Sequence, residues 1–245
     1  MGGALSQRIP FARVLVEGCV IVGSILLAFS IDAWWGEVQE ARRVSAALEG
    51  VHEELVSNAE EMALVARSHR MIYEGGLRVL GVAVGAAEPD SMFASDARWV
   101  LAGEMWLDVA TDALDRVLIS DASAPGFDTD LRTRLAGYRS GLDQVWQQEA
   151  MVRSLVRGDL TRELSQRFDL LFLGTGSRST GLEALGETHA PDDPVAYLLG
   201  VIRDPVIRNL VTARLGREYQ AMVRMERLHG RYDSLVTELA AKHPE

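Results

Sequence analysis

Two Glu-x-x-His motifs come closer than any other residues in this sequence to a metal-binding pattern. Glu49 precedes His52 by three positions, and Glu226 precedes His229 by the same spacing. Residues three apart share a helix face, and two such pairs supply half of the ligands of a ferritin-like di-iron site in a bundle. A complete site also needs carboxylates at the same level of two further helices. His229 lies in an apolar pattern typical of a hydrogen-bonded core histidine, so we predict no metal and no cofactor. A di-iron protein remains the remote alternative.

Other residue patterns favour a protein without a catalytic site. The segment "GTGSRSTG" at 174–181 has glycines and hydroxyls but lacks the lysine of a phosphate-binding P-loop, so we interpret it as a flexible loop. Cys19 is the single cysteine of the chain, which excludes an intrachain disulfide framework and a cysteine-based zinc site. The spacing of Ser, His, Asp and Cys residues indicates no nucleophile–base grouping. We therefore expect that the protein is not an enzyme.

The composition is that of a folded protein that does not bind nucleic acid. The chain has 245 residues, of which 48% are hydrophobic and 24% are charged, which is typical of globular proteins and not of disordered chains. Its net charge is -10 at pH 7. Phosphate contacts require a basic surface, so this charge argues against a nucleic-acid partner.

Residues 14–35 form an apolar run that is long enough to cross a membrane. As a helix the run spans about 33 Å, against a hydrocarbon core of about 30 Å. Nearly all of it follows Cys19, which is the wrong order for a lipoprotein signal. Ala28-Phe29-Ser30 resembles a signal-peptide cleavage site, but Trp34 and Trp35 follow closely, as in membrane-interface anchors. We predict an uncleaved transmembrane helix in contact with the lipid bilayer.

The charges that flank residues 14–35 predict the orientation of the chain. Arg8 and Arg13 precede the run in a tail at residues 1–13, and positive charges hold their side in the cytoplasm. We therefore expect a single-pass protein of the bacterial inner membrane, with its N-terminus in the cytoplasm and residues 36–245 in the periplasm. The charges that follow the run roughly cancel: Glu37, Glu40, Arg42 and Arg43.

One stripe of the apolar run combines carboxylates with small side chains. Its members recur at intervals of three and four, and Trp35 continues the spacing. Small residues let helices approach closely, and acidic groups at membrane depth usually face protein. We therefore predict that the stripe contacts transmembrane helices of other subunits; the alternative is that both carboxylates are hydrated near the headgroups. The anchor stripe consists of Glu17, Ile21, Ser24, Ala28 and Asp32.

Heptad patterns predict long helices through most of the remaining chain. The first pattern continues from the apolar run and ends at the segment "GAAEPDS" at 85–91, and shorter helices follow near 92–102 and 111–120. A second long helix begins at 128–130 and extends toward 168. The predicted core positions of these helices and of the last one are Val44, Leu48, Val51, Leu55, Asn58, Met62, Val65, His69, Ile72, Leu131, Leu135, Tyr138, Leu142, Val145, Val152, Met222, Met225, His229, Tyr232, Val236 and Leu239.

The last third of the chain contains a long loop and two further predicted helices. Residues 172–194 are rich in Gly, Ser and Thr and form the predicted loop insertion. A short helix follows near 194–203, and Asp204-Pro205 is a helix cap with proline at the first helical position. The whole pattern predicts an all-α protein in which one transmembrane helix continues into a long-helix antiparallel bundle.

The segment "VEGCVIVGSILLAFSIDAWWGEVQEARR" resembles the opening of a family of uncharacterised bacterial single-pass inner-membrane proteins, which are known as a domain of unknown function. Members of that family show E-G, then S-I-L-L-A-F-x-I-D-x-W-W, then a charged helix. "TDALDRVLIS", "TDLRTRLAGY" and "LGVIRDPVIRNLVTARLG" are similar to later parts of the family. The segment "DASAPGFD" departs from its pattern. The resemblance implies a helical membrane protein and no known activity.

Two functional hypotheses from different classes follow. In the first, the chain is a non-catalytic accessory subunit that stabilises a larger membrane complex, for which energy-transducing photosynthetic or respiratory assemblies are natural hosts. Trp99, Trp106 and Trp146 are then either partner contacts or core residues. In the second, the bundle is a periplasmic sensory or ligand-binding module, although the sequence has no second transmembrane run and no output domain.

Overall fold

A computed structural model describes residues 11–119, 129–168 and 191–242, and within these ranges the protein is all-α. The predicted loop at 172–194 lies mostly outside these ranges, as do "DASAPGFD" and most of the N-terminal tail. Helices that lie along one another build the architecture: α1 (Phe11–Ala83), α2 (Phe93–Ala102), α3 (Asp112–Ile119), α4 (Thr129–Ser154), a π-helical turn (Leu155–Leu160), α5 (Thr161–Arg167), α6 (Pro194–Arg203) and α7 (Pro205–Lys242).

Helix α1 is continuous from the apolar run to the far end of the bundle. It has 73 residues and is therefore about 110 Å long. Gly75 and Gly76 lie within its last turns and do not interrupt it. The helix ends where Gly85 takes a φ of 78°, a left-handed conformation that favours glycine. The Ala86 N–H then donates to the Gly81 carbonyl at 2.9 Å, and the Gly85 N–H donates to the Val82 carbonyl at 3.0 Å. This Schellman motif stops α1.

Local capping explains where the last two helices begin. The Asp193 carboxylate accepts the Ala196 N–H at 2.9 Å and starts α6, with Pro194 at the first helical position. The Asp204 carboxylate accepts the Val206 N–H at 2.8 Å and starts α7 in the same way. The predicted Asp204-Pro205 cap is therefore confirmed. Such caps satisfy N–H groups that have no partner within the helix.

Helix α7 runs antiparallel to both α1 and α4. Along α1 and α7, Gly76 contacts Leu215 and His69 contacts Glu218, whereas the lower core joins earlier residues of α1 to later residues of α7. Along α4 and α7, Arg134 contacts Glu238 and Gln148 contacts the backbone of Arg217. These pairings give the antiparallel bundle that the heptad patterns predicted.

The core consists of two apolar clusters, one above the other along the bundle. The lower cluster joins residues 44–65 of α1 to α3, α4 and the C-terminal half of α7, and it includes Leu55, Leu135 and Met225. The upper cluster joins residues 72–83 of α1 to α2, α5, α6 and the start of α7, and it includes Phe93 and Val211. Between the two clusters lies a layer of buried charged side chains.

Candidate functional site: a buried charge network and an exposed apolar helix

The layer between the two clusters is centred on His69, which α1 places between carboxylates from two other helices. The imidazole Nδ1 forms a short hydrogen bond with Glu218 Oε2 on α7. The imidazole Nε2 lies 3.4 Å from Glu149 Oε1 on α4. Glu149 is 4% exposed, and His69 and Glu218 are 1% and 0% exposed. Both ring nitrogens donate only when the ring is protonated, so the geometry favours an imidazolium.

Arg214 adds the second positive charge to this layer and is fully buried. Its Nε donates to Glu218 Oε1 at 2.9 Å, one helical turn along α7. Its terminal nitrogens donate to the carbonyl of Val100, at 2.6 Å, and to the carbonyl of Gly103. The guanidinium therefore satisfies backbone carbonyls where α2 ends, which would otherwise be buried without partners.

The second carboxylate of the layer holds the segment that connects α2 to α3. Both oxygens of Glu149 accept the N–H of Leu107, at 2.8 and 3.0 Å. Farther along, the Asn58 side chain donates to the Ala110 carbonyl at 2.7 Å, and the Glu54 carboxylate accepts N–H groups at the start of α3. Polar side chains of α1 and α4 thus replace the hydrogen bonds that this extended segment does not make with itself.

The electrostatics of the layer stabilise its charged forms. Burial alone lowers the pKa of His69, but the hydrogen bonds and charges of Glu149 and Glu218 outweigh it and raise that pKa to about 9. Burial tends to raise the pKa of Glu218, but His69 and Arg214 hold it below its usual value. The layer therefore contains two positive and two negative charges, which balance.

The hydrogen-bonding groups of these side chains are used within the bundle. The oxygens of Glu149 and Glu218 are occupied by N–H groups of His69, Arg214 and Leu107. A cavity of only about 10 Å³ reaches Arg214 and Glu218 from beneath Trp106, and this space is about the size of one water molecule. We conclude that the network fixes the register of three helices and of the connecting segment.

The structure separates the Glu-x-x-His motifs from any convergent ligand set. Glu226 is exposed and forms an ion pair with Arg70, and Glu49 is exposed on α1. His229 stacks on Tyr232 with ring centroids 5.7 Å apart. No group of three or more His, Cys, Asp or Glu residues suited to a metal ion occurs within the described residues. The absence of a bound metal stays a prediction, which elemental analysis of the purified protein tests.

The other candidate site is the apolar start of α1, which touches no other helix in the part of the chain that the structure describes. α1 is the one helix there that is long and apolar enough to cross a membrane, by length and composition, and its most apolar stretch is entirely unburied. The exposed fraction of Phe29 is 68% and that of Leu27 is 62%. Trp34 and Trp35 are also exposed and lie at the end of the apolar stretch that is nearer the bundle, with their ring centroids 6.3 Å apart.

The predicted anchor stripe lies wholly on this exposed helix. Glu17, Ile21, Ala28 and Asp32 are all exposed. The Ser24 hydroxyl donates to the Val20 carbonyl at 2.8 Å, so this small side chain already has a hydrogen-bond acceptor within α1. The stripe therefore offers a closely approachable surface with a carboxylate at each end. Its contact with other helices stays a prediction.

The sequence patterns placed His69 at a core position but missed its charged partners, because the α4 and α7 patterns were followed through uncharged residues alone. Continuing the α7 pattern backwards from Met222 in steps of four reaches Glu218 and then Arg214. Glu149 lies between Val145 and Val152 in the same way on α4. Charged residues at core positions of a heptad pattern were therefore the available signal.

Comparison with known proteins gave no match to a protein family, to a curated protein or to a solved structure. The resemblance noted from the sequence therefore stays an expectation.

Proposed function

We propose that this chain is a non-catalytic accessory subunit that stabilises a larger protein complex of the bacterial inner membrane. Residues 14–35 hold it in the bilayer, with the N-terminus in the cytoplasm and the bundle in the periplasm. The observation that carries the proposal is the exposed apolar start of α1, which continues without a break into a bundle stabilised by buried charges.

The exposed apolar surface supports membrane insertion. Twelve large apolar side chains between Leu15 and Trp35 are about half to two-thirds exposed. Full burial of such a side chain contributes about 1.5–3 kcal/mol, so removing the part that is still exposed on all twelve amounts to about 10–20 kcal/mol. A bilayer provides that environment, and paired tryptophans at the bundle end suit its interface.

The anchor stripe supports a protein neighbour within the membrane. Lipid tails cannot hydrogen-bond the Asp32 carboxylate, whereas a neighbouring helix can offer donors. Ser24 and Ala28, on the same stripe, let that helix approach the backbone of α1 closely. A structural role also agrees with the buried carboxylates of the bundle, which are occupied by internal donors.

Native electrophoresis with mass spectrometry tests this proposal. Membranes are dissolved in mild detergent, and we expect the chain to migrate with other membrane subunits. Ser24→Leu with Ala28→Leu fills the stripe and should release the chain. Cys19→Leu with Gly23→Leu is the matched control, because this second small-xxx-small pair lies on the opposite side of α1. If wild type migrates alone, the accessory-subunit proposal fails and the sensory hypothesis replaces it.

A further inference from the structure

Three depressions follow one another along one side of α1. The first, of about 300 Å³, lies between residues 46–50 of α1 and α3. The second, of about 570 Å³, lies between residues 54–67 and the segment that connects α2 to α3. The third, of about 210 Å³, lies between residues 68–78 and α2. Together they form a groove that runs for about 48 Å along the helix. We call this the α1 groove.

The α1 groove lies on the same side of α1 as the anchor stripe. Thirty-six residues correspond to ten turns at about 3.6 residues per turn, so positions 36 apart face the same direction on a continuous helix. Adding that interval to the stripe and to Trp35, which continues it, gives six residues, of which five line the groove; the sixth, Glu53, is the counterpart of Glu17 and does not line it. The five groove residues are Ser57, Glu60, Leu64, Ser68 and Met71, and they lie 36 positions after Ile21, Ser24, Ala28, Asp32 and Trp35, in that order.

The chemistry of the groove changes with distance from the membrane. Its near end is lined by the small residues Ala46, Ala47 and Gly50 of α1, with Arg116 of α3 on the facing side. Its middle is acidic, since Glu54, Glu60, Glu61 and Asp108 are present with Arg67 as the single cation. Within the described ranges, Glu60, Glu61 and Asp108 form no ion pair.

The far end of the groove has exposed apolar side chains beside the Arg78–Asp96 ion pair. Met71 is 63% exposed, Met92 is 52% exposed and Trp99 is 46% exposed, and the three side chains line one depression. Met71 lies 36 residues beyond Trp35, which places this apolar end about 54 Å from the membrane interface. Exposed methionines and a tryptophan are side chains that commonly form protein contacts.

We infer that the α1 groove binds a basic helix of the same partner protein whose membrane helix packs against the anchor stripe. This inference rests on the proposed function. The partner helix leaves the membrane beside α1 and first passes the small residues at the near end of the groove. Its Lys or Arg side chains then lie against Glu60 and Glu61, and its apolar residues contact Met71 and Trp99. Its extramembrane part therefore reaches at least about 54 Å from the bilayer.

A second copy of this chain does not fit the groove. Membrane insertion holds two copies parallel, so each residue of the shared face would meet its own counterpart. Asp32 would then face Asp32, and Glu60 would face Glu60, which like-charge repulsion opposes. The negative charge in the middle of the groove requires positive charge on its occupant.

Site-specific photo-cross-linking in intact membranes tests the inference. A benzophenone side chain is placed at Ile21 in the stripe, at Met71 in the groove, and at Met151 on α4 as a control, since Met151 is also exposed but lies outside the groove. We expect Ile21 and Met71 to capture the same protein and Met151 to capture none. The peptide captured at Met71 should belong to a helix with basic residues on its membrane side.

Each other outcome is decisive. Capture at Ile21 without capture at Met71 overturns the groove inference and leaves the proposed function standing. Capture of different proteins at the two positions, or of a second copy at Met71, also overturns it. Absence of capture at both positions overturns the proposed function as well.

A charge test addresses the middle of the groove. Glu60→Gln with Glu61→Gln should reduce the amount of partner retained in mild detergent at 0.15 M salt about fivefold, which corresponds to about 1 kcal/mol for the two exposed ion pairs together. Asp233→Arg on α7 changes the net charge by the same two units outside the groove and should leave retention unchanged. Equal effects of the two variants would contradict the basic occupant.

Discussion

His69 on α1 and Glu218 on α7 form a hydrogen bond inside the bundle, at the level where its two apolar clusters meet. Both side chains are shielded from water, and Arg214 and Glu149 complete the charge balance around them. Because α1 continues into the exposed apolar run, this contact fixes how the bundle is rotated about that run. The network therefore determines which side of the bundle lies above the anchor stripe.

Removing one member of this network should destabilise the bundle strongly. His69→Leu leaves Glu149 and Glu218 buried without their shared cation, and breaking a buried ion pair in this way costs about 3–5 kcal/mol. Glu226→Gln is the matched control, because it removes an exposed ion pair with Arg70 that contributes less than about 1 kcal/mol. Thermal unfolding of the detergent-solubilised protein measures both changes. Similar losses for the two variants would show that the His69 contacts do not support the fold.

The same network should make stability depend on pH. The pKa of His69 is raised from 6.5 to about 9, so its stabilising contribution is fully present below pH 6.5 and is lost as the pH rises through about 9. The pKa of Glu218 is lowered from 4.5, so its contribution is present above that pH and is lost at more acidic pH. The unfolding temperature of wild type should therefore fall between pH 6.5 and 9.

A comparison with His69→Gln isolates this effect. The difference in unfolding temperature between wild type and variant should narrow as the pH rises from 6.5 to 9, because only wild type loses an imidazolium. A constant difference across that range would contradict a raised pKa at His69.

The apolar core of the bundle followed from the sequence because it depends on local periodicity. The predicted α1 positions from Val44 to Ile72 are all buried, and so are the six predicted on α4. On α7 two of the predicted core positions were wrong by one residue. His229 and Val236 are half-buried, whereas the preceding residues Leu228 and Leu235 are buried. Heptad spacing gives the buried side of a helix, but neighbouring positions compete for it when both are apolar.

The buried charges and the α1 groove depend on contacts between distant parts of the chain. Arg214 binds the carbonyls of Val100 and Gly103, more than a hundred residues away, and a pattern within one helix does not contain such a pairing. The groove likewise needs α2 and the connecting segment beside α1. Periodicity predicted the helices but not which polar side chains meet between them.

Two glycines of α1 offer a test of its packing against α7. A Cβ on Gly76 would lie within 3.1 Å of three side-chain atoms of the buried Leu215, whereas a Cβ on Gly81 would meet nothing within 4 Å. Gly81→Ala should stabilise the protein by about 0.5–1 kcal/mol through helix propensity. Gly76→Ala gains the same propensity but overpacks the core at a cost of about 1–3 kcal/mol.

The unfolding temperature should therefore rise for Gly81→Ala and fall for Gly76→Ala. If both variants were stabilised to the same extent, α1 and α7 would not approach each other as closely as the structure shows.

The last prediction concerns how the chain enters the membrane. Arg8 and Arg13 precede the apolar run, and positive charges are retained on the cytoplasmic side, so a periplasm-dependent phosphatase fused after Glu245 should be active. Arg8→Gln with Arg13→Gln removes this bias and should lower the phosphatase activity, whereas Arg42→Gln with Arg43→Gln removes opposing charges and should preserve it.

Intact mass of the fusion should show an uncleaved N-terminal segment, since Trp34 and Trp35 suit a retained helix. A product that begins near Ile31 would contradict the retained anchor. An inactive phosphatase, together with an active cytoplasm-dependent reporter fused at the same position, would reverse the orientation. The two arginine pairs distinguish a charge-directed insertion from one that is set by the bundle alone.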